Sequence, residues 1–217
     1  MNECPYCDAF EKGCFEFEKK NNLPSKAYLK NRILYETKNF IVFPTVGQIV
    51  EGYLLIASKK HFLGMGQIPK RQYSELNFIC KKVRNILTEE YTSPLFFEHG
   101  VISEVKKGGC CITHAHFHAI PVKIDILHEL VNHFEYQRIK SLDSLKKQFD
   151  KGIPYFFYES NYGERYLFEI PEIVPSQYIR KVIAVKIGKP ERWDWKSCLG
   201  IVELLRTIEK LKGKFVS

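Results

Sequence analysis

Short apolar runs separated by turns occupy much of the first part of the chain, and they predict antiparallel strands. Residues 33–43 are rich in β-branched and aromatic types on both sides of a turn at residues 37–39. A second apolar run covers residues 52–57, and two more extended segments cover residues 95–98 and 111–122. Turn-forming glycine, proline and asparagine residues lie between the runs, as expected of a meander.

Residues 70–90 follow a different rule. Apolar side chains recur there at intervals of three and four, which places them on one face of a helix. They are Tyr73, Leu76, Ile79, Cys80, Val83, Ile86 and Leu87. The order of strands, helix and strands predicts an α+β fold in which one helix packs on an antiparallel sheet.

The last hundred residues have a more charged composition. We expect weak helix over residues 126–149, a hairpin of strands at 155–159 and 166–170, and a helix that begins at the N-cap Ser176 and runs to residue 187. A final helix is expected over residues 198–211. Its predicted apolar side consists of Leu199, Val202, Leu205 and Ile208.

Composition sets the class of protein. The chain has 217 residues, of which 45% are hydrophobic, so it can bury a core as one domain with an extension. No linker rich in glycine, serine and proline divides it, and we expect a catalytic domain at residues 1–122 with an α/β extension at 123–217 packed on it. No apolar run approaches the roughly 18 residues of a membrane span.

Net charge and cysteine usage indicate the kind of partner and the cellular compartment. The formal net charge of +8 favours phosphate-bearing partners, and suits nucleotides and nucleic acids equally. The N-terminus lacks a basic segment followed by an apolar one, and the seven cysteines do not form the pattern of a disulfide framework. We therefore expect a cytoplasmic protein whose cysteines bind metal, act in catalysis or are buried.

Three histidines alternate with apolar residues in the segment 113–121. On a strand, His114, His116 and His118 would share one face, while Ala115, Phe117 and Ala119 would face the core. A surface strand with chance histidines, or a nonspecific metal patch, is the alternative interpretation.

This segment resembles the signature of the histidine triad family of nucleotide hydrolases and transferases, in which three histidines alternate with other residues before an apolar run. Residues 33–43, 52–56 and 59–61 resemble the N-terminal half of that family in order and spacing. The resemblance covers about the first 122 residues. It implies a histidine triad-like antiparallel sheet and an enzyme that acts on nucleotides.

The resemblance also implies catalytic roles. His116 would attack the α-phosphorus of a nucleotide and form a covalent nucleotidyl-histidine, since a neutral imidazole is a competent nucleophile. His118 would hydrogen-bond the phosphoryl group or the departing atom. A dinucleoside polyphosphate or a nucleoside phosphoramidate would be the substrate, and the nucleotidyl group would pass to water, to phosphate or to a sugar phosphate.

Substrate-binding positions follow from the same resemblance. The expected nucleoside pocket is lined by Phe43, Thr45 and Val46, and the expected phosphate loop includes Gly109, Cys110 and Cys111. Compact members of the family often have an acidic residue where this chain has Thr45, and a histidine where it has Tyr53. The chemistry at phosphorus is therefore better supported than the identity of the nucleoside.

Cys4 and Cys7, with two residues between them, allow three interpretations. They could form a redox dithiol, although that motif follows a strand and only three residues precede Cys4. They could also be ordinary surface or core cysteines. Alternatively, they could supply half of a tetrahedral zinc site. Some histidine triad proteins complete such a site with two histidines, which correspond here to His61 and His114. The resemblance then implies a structural zinc ion that positions His116 from behind.

The extension and the assembly leave alternatives open. Gln177 and Arg180 could bind substrate as part of a lid, or Trp193 and Trp195 could simply anchor the extension by packing. A nonenzymatic RNA- or complex-binding module on a histidine triad scaffold is the alternative function, but the complete triad favours an enzyme with a nucleotide rather than a nucleic acid as partner. Small relatives are commonly dimers, so a homodimer is one expected assembly.

Overall fold

The computed structural model describes residues 4–103, 112–170 and 174–215, and its centre is one antiparallel sheet. The eight strands are β1 (Tyr35–Glu36), β2 (Phe40–Pro44), β3 (Leu54–Ser58), β4 (Leu95–Gly100), β5 (His116–Ile120), β6 (Tyr136–Ile139), β7 (Tyr155–Glu159) and β8 (Arg165–Glu169). Their order across the sheet is β1-β2-β3-β5-β4-β7-β8-β6. The predicted α+β class with an antiparallel sheet is confirmed.

Helices surround this sheet. They are α1 (Pro5–Lys12), α2 (Glu16–Lys20), α3 (Leu29–Arg32), α4 (Tyr73–Glu90), α5 (Leu127–Val131), α6 (Ser144–Asp150), α7 (Tyr178–Lys186) and α8 (Ile201–Leu211), with short 3-10 turns at Ser25–Ala27, Met65–Gln67, Lys70–Gln72 and Pro190–Arg192. Among the described residues, no helix has both the length and the apolar character that crossing a membrane requires.

Local sequence explains the first strands and the long helix. The N–H of Thr37 donates to the carbonyl oxygen of Phe40 over 2.9 Å, which closes the predicted turn between β1 and β2. In α4 six of the seven predicted apolar positions are buried, as the sequence pattern predicts, and Ile86 is partly buried. That helix packs on alternate residues of β2, β3 and β5, including Phe117.

The opposite face of the sheet is covered by segments from both ends of the chain. Tyr6, Phe15 and Leu29 come from the N-terminal segment, and Ile179 and Ile183 come from α7. Because both faces are covered, every residue of β2, β3, β4, β5 and β7 is buried. The two histidines of β5 therefore lie at a buried interface between the sheet and these outer segments.

The extension continues the sheet. Strand β7 pairs with β4, for example through Phe97 and Tyr158, and β8 then pairs with both β7 and β6. The predicted hairpin is present at β7 and β8. The boundary between residues 122 and 123 remains a prediction; it follows β5, and the later strands belong to the same sheet as the earlier ones.

Residues 126–149 correct one expectation. The structure forms α5, the strand β6 and α6 in place of continuous weak helix. The strand escaped notice because its first three residues are exposed and polar or aromatic, so no buried alternation marks it. Its pairing with β8 is what holds it extended.

Two helix starts also differ from expectation. Helix α7 begins at Tyr178, and its N-cap is Gln177 in a left-handed conformation (φ 62°), so Ser176 is not the cap. Helix α8 begins at Ile201, after Gly200, and buries Leu204, Thr207, Ile208 and Leu211. Of the predicted apolar side, Ile208 is buried and Leu199 and Leu205 are partly buried, but Val202 is 58% exposed, so the prediction is wrong for Val202. The buried side of this helix faces Leu23, Ala27 and Val46 of the N-terminal half.

Candidate functional site

The histidine segment supplies two different centres. His116 and His118 lie in β5 on one face of the sheet, while Ala115, Phe117 and Ala119 pack on the α4 side, as the alternation predicts. His114 precedes the strand in a bend, and its side chain turns toward Cys4 and Cys7. The expectation that all three histidines extend from one strand face is therefore correct only for the second and third.

His116 has a fixed tautomer. Its Nδ1 lies 2.5 Å from the carbonyl oxygen of His114, which can only accept, so Nδ1 carries the hydrogen and Nε2 keeps its lone pair. Burial lowers the pKa of His116 to about 4, against a smaller opposing effect of that hydrogen bond. The side chain is therefore neutral at pH 7.

His118 is held by two aromatic side chains. Its Nδ1 is 2.7 Å from the hydroxyl of Tyr53, and its ring stacks on Phe97 with centroids 4.3 Å apart. The rings of His116 and His118 are 4.8 Å apart. Burial, followed by the nearby His116 and His99, lowers the pKa of His118 well below its usual value.

Tyr53 is itself fixed by the C-terminal part of the chain. The Gln48 amide donates to the Tyr53 carbonyl oxygen over 2.7 Å and accepts from its N–H over 3.2 Å, and the Thr207 hydroxyl of α8 reaches the Gln48 oxygen at 3.3 Å. The Arg180 guanidinium of α7 lies 5.2 Å from the Tyr53 ring centroid. Burial raises the pKa of Tyr53, while the charge and hydrogen bond of Arg180 lower it. The extension thereby contributes to the orientation of His118.

A cleft opens in front of both histidines. The predicted binding residues Phe43, Thr45, Val46, Gln177 and Arg180 line it together with His116 and His118. Gly109, Cys110 and Cys111, the predicted phosphate loop, lie outside the described residues.

Gln177 and Arg180 reach the cleft while bonded to the protein. The Gln177 amide donates to Asp194 over 2.9 Å, and Arg180 donates to the carbonyl oxygens of Trp193 over 2.9 Å and Gly47 over 2.8 Å. The bond to Gly47 anchors the extension to the loop between β2 and β3, and the other two join parts of the extension to each other. The buried positive charge of Arg180 nevertheless remains at the cleft wall, beside His118.

Several cleft residues were missed by sequence reasoning. Tyr6, Phe15, Phe17 and Arg32 come from the N-terminal segment, and Trp195 from the extension lies against Phe17 with ring centroids 5.1 Å apart. The density of aromatic residues near the N-terminus was the available signal. His99, which the sequence left between a pocket residue and an ordinary loop residue, is buried in β4 and lines the cleft.

The four predicted metal ligands lie together. The ligand atoms of Cys4, Cys7, His61 and His114 are all within 4.8 Å of one another. Their sulfur-to-nitrogen distances include 3.3 Å for Cys4 to His114, 3.5 Å for Cys7 to His61 and 3.7 Å for Cys7 to His114. Ordinary zinc bond lengths at tetrahedral angles place such atoms about 3.5 Å apart. Two thiols and two imidazoles in this arrangement fit zinc.

His114 is prepared to be a ligand. Its Nε2 is 2.6 Å from the carbonyl oxygen of Ser58, so Nε2 carries the hydrogen and Nδ1 presents its lone pair to the cysteine sulfurs. Burial and the neighbouring Cys4 raise the pKa of Cys7 to about 11. A bound metal must therefore displace thiol protons, which makes its affinity rise with pH.

Zinc content tests this cluster. We expect about one zinc per chain in protein purified without chelator, and a loss of most of it in Cys7→Ser, because a hydroxyl is a poor zinc ligand. Elemental analysis provides the measurement. Cys198→Ser, which changes a half-buried cysteine outside the cluster, is the control and should retain the metal. Metal-free wild-type protein, or equal loss in both variants, would contradict the assignment.

No protein-family model matches the chain. A curated relative, zinc finger CCCH domain-containing protein 64 of Arabidopsis thaliana, is 25% identical over 187 residues; the match covers 78% of this chain, which spans only 30% of that protein.

Similar solved structures share a description. A hypothetical histidine triad nucleotide-binding protein of Sulfolobus tokodaii is 18% identical, with a TM-score of 0.41 over 69% of this chain and 91% of that one. A zinc-bound histidine triad family protein of Mycobacterium smegmatis is 14% identical, with a TM-score of 0.40 over 69% and 92% of the two chains. At these identities and scores the likeness says nothing of activity. Both of these solved structures are described as histidine triad proteins, and the one from Mycobacterium smegmatis is zinc-bound.

Proposed function

We propose that this chain is a histidine triad enzyme that hydrolyses a nucleotide derivative or transfers its nucleotidyl group, through attack of His116 on the α-phosphorus. The observation that carries the proposal is the hydrogen bond from His116 Nδ1 to the His114 carbonyl oxygen. It leaves Nε2 unprotonated at the cleft, where a nucleophile is needed. The low pKa of His116 keeps this nitrogen available at neutral pH.

The first step forms a bond from His116 Nε2 to phosphorus and breaks the bond from phosphorus to the leaving oxygen or nitrogen. In the second step water attacks the phosphorus, the bond from phosphorus to nitrogen breaks, and the nucleoside monophosphate leaves. A phosphate or sugar phosphate in place of water gives transfer instead of hydrolysis. Two hydrogen bonds hold the positive charge of Arg180 at the cleft wall. There it would stabilise the anionic phosphoryl groups of both steps.

His118 presents a hydrogen-bond donor to the leaving group. The Arg180 guanidinium lies 5.2 Å from the Tyr53 ring centroid, and its positive charge favours the Tyr53 hydroxyl as the donor to His118 Nδ1, which is 2.7 Å away. The remaining hydrogen of the neutral His118 is then on Nε2, where it can hydrogen-bond the departing atom and offset the negative charge that develops on it. Tyr53 acts through His118 and is a positioning residue.

Cys4, Cys7, His61 and His114 would hold a structural zinc ion, whose chemistry here is to crosslink the N-terminus to the catalytic strand. His114 then has two roles, because its side chain is a ligand and its carbonyl oxygen orients His116. The metal would thereby support the position of the nucleophile without touching substrate.

The free thiols and the sheet edges bear on the compartment and on the oligomeric state. Cys4 and Cys7 are free thiols in the structure, which suits a reducing cytoplasm. The edge of β4 is paired with β7 of the same chain, so a homodimer cannot form by pairing the β4 edges of two copies. The alternative of a nonenzymatic RNA- or complex-binding module requires neither the fixed tautomer of His116 nor the proton on His118.

A covalent adduct tests the nucleophile. Wild-type protein incubated with a dinucleoside polyphosphate or nucleoside phosphoramidate labelled at the α-phosphate should acquire an acid-labile, base-stable label, and His116→Asn should acquire none, because the attacking nitrogen is gone. Autoradiography of denatured protein is the measurement. The exposed His128, changed to Asn, is the matched control and should label like wild type. Absence of label and turnover across a nucleotide panel would leave the scaffold alternative standing.

Kinetics of a Tyr53 variant test whether Tyr53 positions His118. Tyr53→Phe should lower kcat about ten-fold with KM little changed, because His118 loses its tautomer restraint. The loss should be greatest for leaving groups of high pKa, which develop the most negative charge and depend most on the His118 donor. Steady-state kinetics over a series of leaving groups measures this, with Tyr162→Phe, at a 92% exposed residue, as control. An equal loss for every leaving group would mean that Tyr53 is only structural.

A further inference from the structure

Tyr6 lies between the two cysteines of the metal cluster and contacts one histidine of each centre. Its ring centroid is 5.3 Å from that of His114 and 5.3 Å from that of His116. Both distances are within the range of ordinary ring contacts, and the side chain is only 5% exposed. A single buried ring therefore contacts an expected metal ligand and the nucleophile of the proposed reaction.

Helix α1 sets the place of Tyr6. The helix begins at Pro5, whose fixed φ suits the first helical position, and the Asp8 N–H donates to the Cys4 carbonyl oxygen over 3.1 Å. Cys4 precedes Tyr6 and Cys7 follows it, so the two thiols flank this residue along the chain. When both sulfurs are held at the cluster, the rotation of α1 about its axis is fixed, and with it the direction in which Tyr6 points.

Further aromatic rings enclose Tyr6. Its centroid is 5.3 Å from that of Phe15 and 6.2 Å from that of Phe43 in β2. Because protein interiors are closely packed, this ring cannot shift without displacing a neighbour. A movement of α1 at the cluster is therefore transmitted to His116 through the Tyr6 ring.

The imidazole of His116 needs a restraint of this kind. Its bond from Nδ1 to the His114 carbonyl oxygen holds one edge of the ring, whereas the torsion that turns a histidine ring has broad minima. In the part of the chain that the structure describes, the ring contacts of His116 are with Tyr6 and, at 4.8 Å, with His118. These two rings limit how far the imidazole turns, and so restrict the direction of the Nε2 lone pair.

We propose that Tyr6 is a positioning residue for His116, and that the cluster of two cysteines and two histidines sets its place. This inference rests on the proposed function, because it concerns the nucleophile of that reaction. Attack on phosphorus requires the Nε2 lone pair to lie in line with the bond that breaks, and a small misplacement of a reacting atom lowers kcat strongly. Occupation of the cluster would therefore act on the rate through the Tyr6 ring, in addition to the His114 carbonyl oxygen.

Nuclear Overhauser effects between rings test this route without requiring catalysis. Wild-type protein is stripped of metal with a chelator under reducing conditions, and a portion is reloaded with an equimolar amount of Zn²⁺. The loaded form should show cross-peaks between Tyr6 and His116, and the stripped form should lose most of their intensity, because α1 is no longer held at its thiols. The stacked pair of Phe97 and His118 is the internal control and should keep its cross-peaks in both forms.

Several results would overturn the route. They are equal intensities of the Tyr6 to His116 cross-peaks in the two forms, absence of these cross-peaks from the loaded form, and a protein that binds no Zn²⁺. Loss of the control cross-peaks on stripping would mean a general loss of structure, and would equally overturn a specific route through Tyr6.

Paired variants separate positioning of His116 from binding of substrate. Tyr6→Leu removes the flat ring but keeps an apolar side chain, so kcat should fall about ten-fold, with KM within about two-fold of wild type and the zinc content unchanged. Tyr6→Phe keeps the ring and should have a kcat within about two-fold of wild type. Tyr136→Leu, at a 54% exposed tyrosine of β6, is the matched control and should behave like wild type.

Other outcomes of these kinetics would contradict the positioning role. They are an unchanged kcat in Tyr6→Leu, a rise in KM alone, an equal loss of kcat in Tyr6→Leu and Tyr6→Phe, and loss of zinc from Tyr6→Leu. Should Tyr6→Leu not fold, the cross-peaks of the wild-type protein decide.

Failure of the proposed function looks different. Cross-peaks that depend on Zn²⁺, without turnover or adduct, would support the contact between Tyr6 and His116 and reject the enzyme. Turnover and a labelled His116, with an unchanged kcat in Tyr6→Leu, would reject the role of Tyr6 and keep the enzyme. The two claims therefore separate in one set of reagents.

Discussion

One residue, His114, connects the two centres of this molecule. Its side chain donates to the Ser58 carbonyl oxygen and turns Nδ1 toward the cysteine sulfurs, while its own carbonyl oxygen accepts from His116 Nδ1 over 2.5 Å. The position of the metal cluster and the tautomer of His116 thus depend on the same short stretch of backbone just before β5. Anything that displaces the N-terminal cysteines acts on His116 through that stretch.

The sheet alone does not make the cleft. Its floor comes from β2, β3, β4 and β5, but its walls come from the N-terminal segment, through Phe15, Phe17 and Arg32, and from the extension, through Arg180 and Trp195. These outer segments bury both histidines and so lower their pKa values, which keeps the imidazoles neutral. Burial, usually a cost for polar groups, here keeps both imidazoles neutral, which is the state that the proposed chemistry requires.

The sequence predicted what depends on local periodicity. The two-residue alternation placed His116 and His118 on one face, and the intervals of three and four located α4, because both patterns record burial against a single neighbouring layer. Strand β6 and the cleft role of Arg32 were missed for the opposite reason. Strand β6 is mostly exposed and shows no alternation of buried and exposed residues. Arg32 is held at the cleft wall by Glu18 and by aromatic rings that only tertiary packing brings around it. The metal ligands came from a resemblance, and the packing of α1 against the bend before β5 brings them together.

The central claim is that His116 is a neutral imidazole with its hydrogen on Nδ1 and a free lone pair on Nε2. Long-range ¹H–¹⁵N correlation of the histidine rings at pH 7, with the His116 signals assigned by their loss in His116→Asn, measures this directly. The account predicts a protonated Nδ1 and an unprotonated Nε2 for this residue. A hydrogen on Nε2, or an imidazolium with both nitrogens protonated, would contradict it.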